Sequence, residues 1–200
     1  MLSVPIPHCV ESCGQKFYIL AFYYPDRYTP WDTCCQSPFL SNFYPCPVTL
    51  TIAGIRASFQ TAEAAYQATK WWKIDSIRSQ FEHYKSATEA YNFKKSLSHP
   101  DLHHAGLGRE GAMKAVLQAK FEQVEFREAL LSTNGTYLME HNEKIGRDSY
   151  WSDNYDGTGQ NRLGYLLMNR RFALGGQGVP VHPYNRQDFA VYLNSVSKSR

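Results

Sequence analysis

A helical period across residues 110–131 is the strongest constraint on the fold. Its apolar residues return every three or four positions, which is the spacing of one buried face of an α-helix. They are Met113, Val116, Leu117, Phe121, Val124 and Leu131. The polar face between them carries Lys114, Gln118, Glu122 and Glu125. The pattern predicts one long amphipathic helix whose apolar residues belong to the core.

Shorter patterns predict the remaining elements. Thr61 is placed to cap one helix, and Ser86 with Glu89 forms a capping-box pattern that opens another. Alternating or aromatic-rich runs predict strands at 16–24, 48–52, 56–59 and 137–141, with a turn at Ala53–Gly54 that makes the middle two a hairpin. Further helices are expected at 61–72, from 75 or 76, at 86–97 and at 161–174.

These elements indicate an α+β fold, a mostly helical single domain with a small β-sheet. Within the N-terminal part, residues 1–15 are expected to be a poorly ordered lead-in. Residues 25–38 contain three prolines and are expected to form an irregular loop. The C-terminal residues 175–200 are expected to wrap the surface or fray.

Charge and cysteine usage restrict the possible partners. The net charge of +3 comes without a dense basic run, which argues against extensive contacts with a nucleic-acid duplex. All five cysteines lie in the first quarter, and neither they nor the pair His103–His104 show a metal-ligand spacing. We therefore expect reduced thiols, no metal and no cofactor. The cysteines are Cys9, Cys13, Cys34, Cys35 and Cys46.

The N-terminal residues lack a basic n-region and a continuous apolar stretch. No other run approaches the ~20 apolar residues that a membrane-spanning helix requires. The expectation is a cytoplasmic protein without a membrane partner.

The segment TAEAAYQATKWW contains three polar residues that are candidates for an active site on one helix. Glu63, Gln67 and Lys70 stand at i, i+4 and i+7, so their side chains share one stripe. Glu63 lies near the positive end of the helix dipole, which favours its charged form and suits a general base. A lysine in a partly apolar wall can lose its proton and attack a sugar carbon. The alternative is a weak ion-pair ladder on a surface helix.

The segment GRDSYWSDNYDGTGQNRLG is the second candidate, at residues 146–164. It combines three aspartates with Tyr150 and Trp151, and its glycines are expected to let the backbone approach a ligand. Because it leads into a helix, its amides and Arg162 are expected to receive a phosphate. The alternative is a solvated acidic turn. The aspartates do not follow the EF-hand spacing and no glutamate closes the loop, which argues against a calcium loop.

Four blocks in this order resemble the NADAR (YbiA-like) family: FLSNFYP, TAEAAYQATKWW, LQAKFEQ and GRDSYWSDNYDGTGQNRLGYLLM. The resemblance covers about residues 39–174, which would be the catalytic domain, between a lead-in strand and loop at 1–38 and a tail at 175–200. It implies an α+β domain that hydrolyses an N-glycosidic bond. Some family members remove ADP-ribose from guanine in nucleic acid or nucleosides, and others split ribosylated aminopyrimidine intermediates of riboflavin synthesis.

The family's helix glutamate and lysine fall on Glu63 and Lys70, and its loop tryptophan and aspartate fall on Trp151 and Asp153. Two departures concern one wall of the site: Ala64 replaces the histidine that usually follows the glutamate, and residues 103–107 lack a tryptophan that some relatives carry. The resulting expected site has catalytic residues Glu63, Lys70 and Asp153 and substrate-binding residues Ser41, Asn42, Phe43, Gln67, Tyr150, Trp151, Asn161 and Arg162.

In the mechanism that we favour, Lys70 attacks C1′ of the ribose and forms a Schiff base while Glu63 shuttles protons. The competing mechanism uses Glu63 and Asp153 as a carboxylate pair, with Lys70 acting only electrostatically. The expected substrate is ADP-ribosylated guanine, as a nucleoside or in nucleic acid, or else a small ribosyl phosphate, and the enzyme is expected to be a monomer. Two other classes remain open: a non-catalytic ADP-ribose or nucleotide reader, and a partner-binding domain.

Overall fold

The computed structural model describes residues 2–24 and 29–196. Part of the predicted loop at 25–38 and the end of the predicted tail therefore lie outside the described residues. The chain divides into two compact units, which we describe separately. The first unit consists of residues 1–41 and 125–200, and the second consists of residues 42–124.

The first unit contains a three-stranded sheet with the order β1-β2-β5. β1 pairs with β2 in an antiparallel hairpin, and β2 pairs with β5 in parallel, with Leu20 opposite Leu138. The elements of this unit are β1 (His8–Ser12), β2 (Gln15–Phe22), α1 (Pro30–Cys35), α6 (Val124–Ser132), β5 (Thr136–Glu140), α7 (Arg162–Ala173) and α8 (Arg186–Val196).

The core of the first unit is built on the central strands. Leu20 and Leu138 are fully buried, as are Leu167 of α7 and Phe189 of α8. Burying a side chain of this size contributes roughly 1.5–3 kcal/mol. Arg171 is also fully buried, and its guanidinium donates to the backbone carbonyl oxygens of residues that include Thr133 and Thr136. Burial lowers the pKa of Arg171 to about 10.

The second unit pairs a two-stranded antiparallel sheet with helices. Its elements are β3 (Pro45–Ile52), β4 (Ile55–Thr61), α2 (Ala62–Ala68), α3 (Asp75–His83), α4 (Ala87–Ser96) and α5 (Gly108–Glu122). A 3₁₀ turn, Thr69–Trp71, continues α2. Phe59, Phe81 and Phe121 are fully buried in its core. The predicted hairpin turn, the Thr61 cap and the Ser86–Glu89 capping box are all present.

The prediction of one long helix is wrong, because this segment forms two helices, α5 and α6. α5 ends at Glu122, and Gln123 has an extended backbone with φ −68° and ψ 128°. The side-chain amide of Gln123 donates to the carbonyl oxygen of Pro47 at 2.8 Å. This change of direction resets the helical phase, and Val124, which the period places in the core, is 64% exposed.

The two ends of the chain contain more regular structure than the sequence predicts. β1 lies in the expected lead-in, and α8 lies in the expected tail. The Ser12 hydroxyl donates to Asp188 at 2.7 Å, which joins these two elements across 176 residues. The α+β class is confirmed, with two small sheets instead of one. The boundaries at residues 38/39 and 174/175 stay predictions.

Candidate active site

Three side chains on and after α2 form a continuous hydrogen-bonded chain. The ammonium of Lys70 donates to Gln67 Oε1 at 2.8 Å. The amide of Gln67 donates in turn to Glu63 Oε1 at 2.7 Å. Glu63 and Gln67 are 6% and 4% exposed. The predicted stripe therefore exists, and its burial distinguishes it from a ladder of ion pairs on a solvated surface.

The start of α2 holds Glu63 in place. The hydroxyl of Thr61 accepts from the amide of Ala64 at 3.1 Å, which satisfies one of the free amides of the first turn. The amide of Glu63 itself donates to the carbonyl oxygen of Asn42 at 2.9 Å. These two hydrogen bonds, at Glu63 and at Ala64, fix the backbone from which the carboxylate projects.

Lys70 is in an environment that opposes its charge. Burial is the main cause, and the charge of Lys94 adds to it, while Glu63 acts in the opposite direction. Together these lower the pKa of Lys70 from 10.5 to about 8. About a tenth of the amine is therefore neutral at pH 7, and this is the form that can act as a nucleophile.

His104 belongs to the surroundings of Lys70, although its sequence context gave no reason to select it. Its Nδ1 lies 2.8 Å from the hydroxyl of Thr69, and that hydroxyl donates to the carbonyl oxygen of Tyr66 at 2.6 Å. The hydroxyl has one proton, so His104 Nδ1 is the donor in the first of these bonds. Burial and then the charge of Lys70 lower the pKa of His104 to about 4, so the imidazole is neutral at pH 7.

No spacing rule links residue 104 to residue 70, because they lie on separate elements. The backbone supplies the connection, since the amide of Asp101 donates to the carbonyl oxygen of Lys70 at 2.7 Å. His104 also adopts a left-handed conformation, with φ 50°. This unusual backbone places the imidazole against the Tyr66 ring, with 5.1 Å between ring centroids.

Asn42 presents an acceptor that the chain does not satisfy. Its side chain is 6% exposed, and its amide nitrogen lies 3.4 Å from the sulfur of Met113. Over the described part of the chain, Asn42 Oδ1 is buried without a hydrogen-bond partner. Such atoms are rare in folded proteins and call for a donor. The next residue, Phe43, packs at an angle on Tyr91, with 6.0 Å between ring centroids.

In the first unit, the loop of residues 146–164 is held by its own aspartates. Asp148 Oδ1 accepts from the amides of Tyr150 and Trp151, at 2.8 Å each. The two rings then meet edge to face, with 4.9 Å between their centroids. Both side chains are half-buried. The acidic segment is thus an ordered turn that presents two aromatic rings.

Asp153 is fully buried and makes its contacts within the protein. Its Oδ2 lies 2.8 Å from His141 Nδ1, and its Oδ1 accepts from the amide of Tyr155 at 3.0 Å. His141 Nε2 lies 3.1 Å from Asn194 Oδ1 on α8. The His141 ring also contacts the rings of Tyr155 and Trp31. These contacts anchor the loop that carries Trp151 to its own unit.

The expectation that amides at the start of α7 bind a phosphate is wrong. Four consecutive amides, from Gln160 to Leu163, donate to carbonyl oxygens of residues 149–152 at 2.8–3.1 Å. The loop closes on the helix and uses the donors that a phosphate would need. The guanidinium of Arg162 is half-buried and lies over the Tyr165 ring at 5.4 Å.

Two glycines of this segment, Gly159 and Gly164, allow the chain to pack closely on itself. A Cβ at Gly159 would overlap the carbonyl of Ser152, and one at Gly164 would overlap the carbonyl of Leu138. Asn161 stands between them, fully buried, with its amide oxygen bound by Glu140 N at 2.9 Å. The expected approach of a ligand at these glycines is therefore wrong, because protein backbone occupies the space.

The residues expected at the site are thus placed as follows. Glu63, Gln67 and Lys70 are joined directly, and Asn42 contacts the backbone of Glu63. Tyr150 and Trp151 contact one another in the first unit. In that unit Asp153, Asn161 and Ser41 are buried, and Arg162 is half-buried. Their assignment to catalysis or to substrate binding stays a prediction.

Comparison with known proteins identifies the class to which this fold and these residues belong. The NADAR domain matches residues 29–175 of the chain. This match covers well over half of the sequence and includes Glu63, Lys70, Trp151 and Asp153. The chain belongs to the NADAR domain family.

Individual relatives agree with this assignment. The chain is 35% identical over 132 residues to the N-glycosidase YbiA of Shigella boydii, a match that covers 66% of this chain and 78% of that protein. It is 32% identical over 171 residues to a riboflavin biosynthesis protein of Vibrio vulnificus. That second match covers 84% of this chain and 41% of the longer Vibrio protein.

A solved structure supports the same conclusion about the fold. The NMR structure of the E. coli protein YbiA is similar to this chain with a TM-score of 0.56 and 32% sequence identity. The similarity covers 68% of this chain and 77% of that one. As a member of this family with N-glycosidase relatives, the protein is a glycosidase that hydrolyses N-glycosyl compounds. Across the residues that are described, no helix is long and apolar enough to cross a membrane.

Proposed function

We propose that the protein removes ADP-ribose from guanine, in a nucleoside or in nucleic acid, by hydrolysing the bond between the base and C1′ of the ribose. One observation carries the chemical part of this proposal. Lys70, with a pKa lowered to about 8, is connected through Gln67 to the buried carboxylate of Glu63. A nucleophile and a proton carrier are thus held on one short helical segment. The choice of guanine rests on the family resemblance.

In the proposed reaction, the electron pair of the neutral Lys70 amine forms a bond to C1′, and the C1′–N bond to the base breaks. The base leaves with the electron pair of the broken C1′–N bond, and Glu63 accepts a proton from the attacking nitrogen and passes it to the departing base. The ribose ring then opens, because the lysine nitrogen forms an imine with C1′ as the ring oxygen departs with a proton. Water adds to the imine carbon and releases Lys70 and the free sugar, so that one water is consumed per turnover.

The remaining residues are assigned to binding and positioning. We assign Asn42 Oδ1, together with Ser41 and Phe43, to the ribose, since a sugar hydroxyl is a suitable donor for a buried amide oxygen. Tyr150 and Trp151 are assigned to stacking on the base. Arg162 is assigned to a phosphate through its guanidinium, and Asn161 to holding the backbone of that segment.

The burial of Asp153 favours the Schiff-base mechanism over a carboxylate pair. A pair mechanism requires both carboxylates to reach the reacting atoms or the attacking water. Asp153 is fully buried, and each of its oxygens has a partner within its own unit. We therefore assign to Asp153 a positioning role, in which it orders the loop through His141.

Trapping with borohydride tests this proposal. ADP-ribosylated guanosine is incubated with the full chain in the presence of borohydride, and the adduct is located by mass spectrometry of peptides. We expect release of free guanosine and a reduced sugar adduct on Lys70. Lys70→Met should abolish the adduct, while Lys73→Met, which alters an exposed lysine three residues further on, should retain it. Guanosine release without any adduct would contradict the Schiff base, and tight binding without release would indicate a reader.

A second substrate class is favoured by the similarity to the riboflavin biosynthesis protein of Vibrio vulnificus, which extends over 84% of this chain. Ribosylated aminopyrimidines present the same C1′–N bond to Lys70. Both classes belong in one assay of base release, with equal concentrations of each ribosylated base. A higher kcat/KM for the aminopyrimidine would replace guanine in the proposal. A monomeric enzyme of the cytoplasm remains part of the expectation.

A further inference from the structure

A group of soft ligand atoms is formed by residues that have no assigned role in the reaction. One ring nitrogen of His8 and the sulfur atoms of Cys34 and Cys35 all lie within 4.8 Å of one another. His8 begins β1, and the two cysteines end α1. The sequence predicts no metal site, because the cysteines and histidines show no metal-ligand spacing along the chain. The fold brings the three together.

The distance between the two sulfurs is the one that a shared metal ion requires. They lie 3.8 Å apart. Two thiolates that each lie ~2.3 Å from one tetrahedral zinc ion are separated by ~3.8 Å. Thiolate and imidazole ligands together suit zinc and similar thiophilic ions and do not suit magnesium or calcium. The two cysteines therefore have ligand geometry before any ion binds.

Contacts around the ligands resemble an outer shell that orients a metal-bound histidine. His8 Nε2 lies 3.3 Å from the carbonyl oxygen of Cys34, and Nδ1 lies 3.0 Å from the hydroxyl of Tyr192. A carbonyl can only accept, so Nε2 carries the proton, and the lone pair of Nδ1 accepts from the Tyr192 hydroxyl. An ion that binds Nδ1 displaces this hydroxyl, while Nε2 keeps the bond to a carbonyl that is characteristic of metal-ligating histidines.

Exposure differs among the ligands in a way that allows an ion to enter. Cys35 is fully buried, and its sulfur accepts from the amide of Ala21 at 3.3 Å. His8 and Cys34 are half-buried and provide the route from solvent. Each thiol must lose its proton when the ion binds, so the affinity should increase with pH.

We propose that His8, Cys34 and Cys35 bind one thiophilic divalent ion of the zinc class, which joins the β1–β2 hairpin to α1. Binding forms two metal–sulfur bonds and one metal–nitrogen bond and releases the two thiol protons, without any oxidation or reduction. Three protein ligands leave a tetrahedral ion one position for water. The ion connects residues far apart in sequence and holds the N-terminal strand in place.

Metal titration of the reduced full-length protein tests the site. Zinc is titrated against a chromophoric chelator, and cobalt(II) is used as a spectroscopic probe of thiolate ligands in a tetrahedral field. We expect one ion per chain, a thiolate-to-cobalt charge-transfer band and a Tm that increases with zinc. Cys34→Ser and His8→Gln should each weaken zinc binding by roughly 100-fold. Loss of a direct ligand should cost no less than the loss of an outer-shell partner, which lowers metal affinity by about 10–100-fold.

Cys13→Ser is the matched control, since it removes an exposed thiol of the β1–β2 turn that is not part of the group. It should leave affinity, spectrum and Tm unchanged. The absence of stoichiometric binding by the parent protein, equal losses in the control, or a disulfide between Cys34 and Cys35 that persists under reducing conditions would overturn the proposal. Glycosidase activity retained in Cys34→Ser would separate this site from the reaction.

Discussion

The segment around α2 and the loop of residues 146–164 both contain residues of the expected site, but they are built differently. The chain Glu63–Gln67–Lys70 is formed by contacts between residues three and four positions apart. In the loop, Asp153 contacts His141 twelve residues away, and His141 contacts Asn194 across 53 residues. A helical period determines contacts of the first kind, whereas contacts of the second kind need the folded unit.

The two regions also differ in whether their polar groups are available to a ligand. Lys70 in the α2 segment has a shifted pKa, and Asn42 has an unsatisfied acceptor, so this segment has polar groups prepared for a ligand. The loop has satisfied its own polar groups, including both oxygens of Asp153 and the amides that begin α7. We therefore expect substitutions in the first segment to affect the rate and substitutions of the buried residues of the loop to affect the stability. Four predictions test this comparison.

The largest effect is expected from Glu63→Gln. The change keeps the shape of the side chain but removes the proton carrier, so kcat should decrease by about 10²–10⁴-fold. The Tm should remain close to that of the parent, measured by calorimetry on the same sample. Glu128→Gln makes the same change on an exposed face of α6 and should leave kcat unaltered. A near-normal rate for Glu63→Gln would contradict the role of Glu63 as the proton carrier.

A pair of glycine substitutions tests the architectural role of the loop. Gly164→Ala would place a Cβ against the carbonyl of Leu138, and the free energy of unfolding should decrease by about 1–3 kcal/mol. Gly111→Ala in α5 meets nothing closer than 3.5 Å and should increase that free energy by about 0.5–1 kcal/mol. Urea denaturation measures both. Equal effects would mean that Gly164 is an ordinary helical glycine and that the loop does not depend on it.

The pH dependence of the covalent step tests the state of Lys70. Only the neutral amine attacks, and its pKa is about 8, so the trapping rate should increase by about tenfold per pH unit below that value. Above pH 8 the rate should level off, because the amine is then mostly neutral. Measurement of adduct formation from pH 6 to 10 provides the profile. A midpoint near 10.5, the value of an unperturbed lysine, would contradict the effect of burial.

The smallest effect is expected from Lys94→Met. The charge of Lys94 lowers the pKa of Lys70, so its removal should move the midpoint of the pH profile upward and slow the reaction a few-fold at pH 7. Lys95→Met is the natural control, because Lys95 also lies over the Tyr91 ring but is not among the charges that act on Lys70. A shift of the midpoint in the control but not in Lys94→Met would show that another group sets the pKa.

The sequence by itself determined the features that depend on neighbours along the chain. The hairpin at Ala53–Gly54, the Thr61 cap and the capping box of Ser86 need only local geometry, and all are present. The stripe from Glu63 to Lys70 is of the same kind, because an α-helix places residues three and four positions apart side by side. The family resemblance rests on these blocks and is confirmed by the match to the NADAR domain.

Only the tertiary structure decided the burial, the protonation and the long-range partners of those residues. Burial sets the pKa of Lys70, and the fold brings the neutral imidazole of His104 to the neighbouring Thr69. Close packing of the chain on itself explains Gly159 and Gly164. Gln123 ends α5 through a contact with the strand at Pro47, which no period can reveal. Desolvation and long-range hydrogen bonds depend on the folded surroundings, so local spacing predicts which side chains can meet but not their protonation or their partners.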